Sequence, residues 1–187
     1  MEESLIIQQE CRNRLGIAQA LLNLGNVAYR RSDYATARSR YAQSFAIGKE
    51  LGDKHSMAAA LSNQGNLARA QGDLAGARSF LEQSLVIKRE MEDDRGVAIA
   101  LDNLGSLVSE QGDYALSYAL HEQSLALQQQ LGNREGIATA LGNMGGVSYL
   151  QGDYDDARSL FEQSLEIRRE LGDYSGVRTN GRRDARL

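Results

Sequence analysis

The chain contains no proline and no tryptophan, and only one cysteine and two histidines in 187 residues. Without proline no helix is forced to break, and stopping is left to the 19 glycines. The lone Cys11 closes no internal disulfide, which fits a reducing, cytoplasmic setting. A basic excess is missing as well. The 21 Lys and Arg are interspersed with 25 Asp and Glu for a net charge of −4, so neither nucleic acid nor a membrane surface is an expected partner. No apolar run approaches the roughly 20 residues that span a bilayer. The opening Met1-Glu2-Glu3-Ser4-Leu5-Ile6-Ile7 puts acid where a secretory signal needs base. His55 and His121 have no carboxylate or cysteine at catalytic or metal-ligand spacing. Asp153, Asp155 and Asp156 lack the rest of a calcium loop. No catalytic residue, metal or cofactor is expected.

What the chain has is a repeat. Shifted by 40 residues it falls into register: Leu21, Leu61, Leu101 and Leu141; Asn23, Asn63, Asn103 and Asn143; Gly25, Gly65, Gly105 and Gly145. Asp33, Asp73, Asp113 and Asp153 follow, then Ser44, Ser84, Ser124 and Ser164. No gap is needed from Ser4 to Val177. The expected organisation is one array over 1–177. It comprises a half repeat (1–15), repeats at 16–55, 56–95, 96–135 and 136–175, and a non-repeat tail at 178–187.

Each unit reads as a pair of helices. In the second, Met57, Ala60, Leu61, Leu67 and Ala68 keep the spacing of one buried helical stripe. Gln71-Gly72-Asp73 then supplies a left-handed stop and an N-cap. The next helix carries Leu74, Ala77, Leu81, Leu85 and Ile87. Two helices joined by about three residues must run antiparallel. Small residues recur where they cross: Gly25, Gly65, Gly105 or Gly145 against Ala37, Ala77, Ser117 or Ala157. Mid-helix glycine costs about 1 kcal/mol against alanine, and its recurrence implies close backbone approach. Cys11 sits in the slot of Leu51, Met91, Leu131 and Leu171, and so reads as a buried apolar residue.

The run Asn23-Leu24-Gly25-Asn26-Val27-Ala28-Tyr29, then Asp33-Tyr34 and Ala37, resembles the signature of the tetratricopeptide repeat family. It recurs four times and covers nearly the whole chain. Departures are Gln64 for Leu, Ser117 for Ala, His121 for an aromatic residue, and the missing proline after each second helix. The forty-residue unit ending in Leu-Gly-Asp resembles adaptors of the Partner-of-Inscuteable type and bacterial signalling arrays. The resemblance implies an all-α fold, a right-handed α-solenoid of antiparallel helix pairs. It also implies protein or peptide binding without enzyme activity.

In such stacks the first helices line the concave face. The stripe left over from packing includes Leu22, Asn23, Asn26 and Tyr29; Ser62, Asn63, Asn66 and Arg69; Ile99, Asp102, Asn103, Ser106 and Glu110; and Asn143 and Tyr149. Asparagine is a poor mid-helix residue, so a ladder of it needs a reason. Carboxamides can pair with the N–H and C=O groups of an extended peptide, and in the resembling arrays this position does so. The alternative is that they bond across neighbouring repeats. Lysines and arginines that clamp a terminal carboxylate are replaced by Ser62, Asp102 and Gly142, so an internal segment of mixed charge is the expected ligand. The competing function is a structural spacer of a larger signalling protein that self-associates end to end through its terminal repeats.

Overall fold

The computed structural model describes the backbone of residues 2–172 and the side chains of residues 13–172. Eight helices and no strand are found among them: α1 (Glu2–Arg30), α2 (Tyr34–Leu51), α3 (Lys54–Ala70), α4 (Leu74–Glu90), α5 (Asp94–Glu110), α6 (Tyr114–Gln130), α7 (Arg134–Gln151) and α8 (Tyr154–Glu170). The fold is an all-helical repeat solenoid. Asp173, the tail beyond it and the side chains of Ser4, Leu5, Ile7, Glu10 and Cys11 lie outside the described residues.

Turn chemistry sets the helix ends. Asp33, Asp53, Asp73, Asp93, Asp113, Asn133 and Asp153 each accept the backbone N–H three residues on, at 2.9–3.3 Å. Each cap satisfies a donor that the helix start would otherwise leave open, worth about 1 kcal/mol. Before each cap stands a left-handed residue. Five are glycines with φ of 63–86°, and Ser32 (59°) and Glu92 (54°) fill the other two slots. Glu92 is held there by turn hydrogen bonds from its own N–H to Arg89 O (3.0 Å) and from Asp93 N to Lys88 O (3.1 Å).

The turn made at Gly52-Asp53 is not repeated one period earlier. Arg12-Asn13 occupies the slot of Gly52-Asp53, yet α1 is unbroken from Glu2 to Arg30. The half unit and the first helix of repeat one are therefore continuous, although non-glycine Glu92 does make the turn at the equivalent slot.

The chain divides into two compact units, Met1–Leu107 and Val108–Leu187. In the first, α1 packs on α2, α2 on α3 and α3 on α4. Its core gathers Leu22, Ala28, Ala37, Tyr41, Ala60 and Leu67. In the second, α6 packs on α7 and α7 on α8, around Leu141, Met144 and Leu160.

Helices within a pair cross closely. A Cβ on Gly65 would lie 2.8 Å from Leu81 Cγ and 3.3 Å from the Ala77 carbonyl; one on Gly145 would lie 3.2 Å from the Ala157 carbonyl. At Gly25 the Tyr41 ring fills that space instead. Ala37, Ala77 and Ala157 are buried beneath these crossings, and Gly105 is buried too.

The repeated serine is a second tie within a pair. Ser84 Oγ donates to the Ala58 carbonyl (2.8 Å) and Ser164 Oγ to the Ala138 carbonyl (2.6 Å). Ser44 Oγ is buried with no hydrogen-bond partner. Ion pairs join the start of a first helix to the end of its second: Arg14–Glu50, Lys54–Glu90 (2.9 Å) and Arg134–Glu170. All three are exposed and contribute below about 1 kcal/mol each.

Candidate peptide groove in the first unit

The asparagines do not all share one environment. Asn63, Asn66 and Asn103 are half-buried and line one open cavity of about 650 Å³ in the first unit. Gln19 joins them from α1. Asn23 is exposed and accepts from Gln19 Nε2 at 3.4 Å. Asn26 is committed elsewhere: its Oδ1 accepts the Tyr41 hydroxyl at 2.8 Å. Burial first, then repulsion from Tyr29, holds the Tyr41 phenol above its usual pKa, so it stays a donor.

Leu22 corrects the sequence reading. Assigned above to the open stripe, it is 3% exposed and belongs to the core. The same slot holds Ser62 in the next repeat, and Ser62 lines the cavity.

The remaining expected groove residues do not line this cavity. Tyr29 packs against Tyr34, ring centroids 6.0 Å apart. Arg69, Asp102 and Ser106 are half-buried, and Arg69 and Asp102 are engaged in interactions of their own. In the second unit, Glu110 is exposed, Asn143 is half-buried, and the exposed Tyr149 meets Tyr154 edge-on at 5.4 Å.

Of the cavity's other walls, the sequence pattern marked Ile99 and Ser62 and missed Leu15 and Lys88. Leu15 and Ile99 are exposed apolar residues at its sides, and Asp53 and Asp93 stand at its rim. His55 lies in the first turn of α3, exposed. Lys88 reaches the cavity from α4, a second helix, and its Nζ donates to Ser62 Oγ at 3.3 Å. Ser62 and Ser84 hydroxyls lie 2.8 Å apart, and Ser84 donates to Ala58. With its one proton spent on that carbonyl, Ser84 must accept from Ser62, and Ser62 from Lys88. A directed chain runs from the ammonium to the backbone. Burial pushes the Lys88 pKa below the ordinary lysine value, and Asp93 opposes that shift.

The signal that could have revealed Lys88 is divergence. Its slot reads Gly48, Lys88, Gln128 and Arg168, beside the nearly constant Ile47, Ile87, Leu127 and Ile167. Among the described residues no group of three His, Cys, Asp or Glu is placed to hold a metal ion. No described helix is long and apolar enough to cross a membrane.

Comparison with known proteins agrees with this architecture. The chain is similar in structure to BtubC (BKLC) from P. vanneervenii, at 21% identity and a TM-score of 0.74, over 91% of this chain and 69% of that one. It is similar to apo RapI at 15% identity and a TM-score of 0.79, over 87% and 60%. It is also similar to the Rap conjugation gene regulator of the plasmid pLS20 in complex with the Phr* peptide, at 16% identity and a TM-score of 0.75, over 86% and 44%. The chain thus spans about half of the two Rap proteins it resembles. A search of curated proteins gives no match. A tetratricopeptide repeat model matches residues 2–90 and 96–170. This chain is therefore a member of the tetratricopeptide repeat family.

Proposed function

We propose that the first unit is a protein-interaction module that takes an extended, internal peptide segment in the groove lined by Asn63, Asn66 and Asn103. The convergence of three half-buried carboxamides and Gln19 on one cavity carries this reading. Each carboxamide offers donors and an acceptor at a helix face that packing has not used. Leu15 and Ile99 add apolar contact beside them, the mix expected of a peptide site. The Rap regulator bound to the Phr* peptide shares the fold, and the forty-residue unit resembles that of Partner-of-Inscuteable-type adaptors. Asn23, Asn26, Tyr29, Arg69, Asp102, Ser106, Glu110, Asn143 and Tyr149 stand outside this cavity as further candidate contacts. The test is to pan a random peptide library on the chain and on an Asn63→Ala, Asn103→Ala variant. A loss of binding of about tenfold or more with an unchanged melting temperature is expected. Equal binding, or a lower melting temperature alone, assigns the asparagines to holding the stack.

A second reading, end-to-end self-association, is favoured by a different observation. Leu24 and Val27 on α1 are exposed, whereas Leu104, Met144, Leu67 and Val147 at the same slots are buried. Phe161 on α8 is 44% exposed, whereas Tyr41 is 2% exposed. On this reading the sedimentation coefficient rises with concentration, and Leu171→Glu or Val27→Glu abolishes the rise. A monomer at every concentration excludes it.

A further inference from the structure

Lys88 is an uncommon choice for the wall of a groove built from amides. It is half-buried, it originates on the second helix of its pair, and its protein partner is the neutral hydroxyl of Ser62. Asp93 favours its charge, yet Lys88 is a member of none of the ion pairs described above. A partly desolvated ammonium with two N–H donors still to place is costly unless an anion meets it. The Ser62–Ser84–Ala58 chain accepts from only one of its three hydrogens. That chain orients the amine without neutralising it.

We propose that Lys88 is the specificity determinant of the groove and takes the side-chain carboxylate of an aspartate or glutamate in a bound peptide whose backbone lies on Asn63 and Asn103. The inference rests on the peptide-groove reading and adds to it the chemistry of one ligand position. Two features narrow the ligand. Asp53 and Asp93 at the rim make the cavity net negative apart from Lys88, which disfavours a doubly charged phosphate and leaves room for a single carboxylate. Lys88 comes from α4 while the asparagines stand on α3 and α5. A side chain can reach down to it while the main chain stays on the amides. A terminal carboxylate would have to draw the backbone away from them. Within the first unit the slot is Gly48 and Lys88, so the requirement there falls on one ligand residue.

The experiment is selection of random peptides displayed inside a loop, so that no free C-terminus is present. It is run on the chain, on Lys88→Met, on Lys88→Arg and on the Asn63→Ala, Asn103→Ala variant. Selected peptides are expected to carry Asp or Glu at one fixed position and to bind more weakly as salt rises. Lys88→Met weakens them about tenfold and Lys88→Arg largely preserves them, as a charge-assisted contact requires. Changing the acidic residue to its amide costs about tenfold on the chain and nothing further on Lys88→Met. Peptides that need Asn63 and Asn103 but show no acidic position, or tolerate Lys88→Met, overturn the role of Lys88 and leave the groove standing. Peptides indifferent to both asparagines overturn the groove itself.

Discussion

The α3–α4 pair of the first unit and the α7–α8 pair of the second share a frame and differ in what they present. Both cross at a glycine against an alanine carbonyl, and both tie the crossing with a buried serine hydroxyl. In the first pair Ser62 and Lys88 extend that serine into a polar chain reaching a groove. In the second the Ser62 slot is Gly142, and the hydroxyl chain stops at Ser164. The end of α7 then shows Tyr149 and Leu150, both exposed. Positions that hold two helices together tolerate little change, because interiors are packed to crystal-like density. Positions facing outward are free to diverge, and the difference between the pairs is concentrated there.

That contrast breaks most readily at the crossings. Gly65→Leu should destabilise by about 3 kcal/mol, because Leu81 and the Ala77 carbonyl already fill the space. Gly146→Ala, on the open face with nothing near its Cβ, should stabilise by about 0.5–1 kcal/mol through helix propensity alone. Thermal denaturation of both variants decides the point, and equal effects would dissolve the distinction between frame and face.

The serines give a smaller, sharper contrast. Ser84→Ala removes a hydroxyl bonded to Ala58 and should cost about 1 kcal/mol in urea unfolding. Ser44→Ala removes a buried hydroxyl that has no partner and should be neutral or slightly stabilising. Glu92→Gly should raise stability by about 0.5 kcal/mol, since the residue already holds a left-handed φ of 54°. The smallest effect is the Lys54–Glu90 pair: a double-mutant cycle should return below about 0.5 kcal/mol of coupling, fading with salt.

Much of the frame could be read from the repeat. Asp73 and Gly72 announce a helix start and stop by their chemistry, and the structure finds the cap bond and the left-handed φ there. Gly65 and Ala77 point to a crossing by their smallness, and their backbones do approach. The asparagine ladder was legible only as a pattern. A repeat gives equivalent slots but not equivalent neighbours. Tyr41 places a hydroxyl beside Asn26 where Leu81 offers Asn66 none, so the first repeat's amide is drawn inward. Leu22 turned inward for the same kind of reason, an apolar residue in a slot otherwise held by Ser62 and Asp102. Lys88 was hidden because the period directs attention to the first helix of each pair, while its long side chain crosses from the second. The continuity of α1 through Arg12 was hidden because a slot's place in the register says nothing of its residue's own backbone preference.

The junctions have a consequence for how such a chain can change. Each turn that ends on a cap from Asp33 to Asp153 carries both its own terminator and the cap of the following helix, so neither signal is borrowed from elsewhere. A forty-residue block cut at two equivalent turns, such as those at Gly52 and Glu92, leaves with complete ends and exposes matching ones. Duplication or exchange of whole blocks therefore preserves the backbone grammar while bringing in a new set of outward side chains. Binding preference can then be rewritten one cassette at a time.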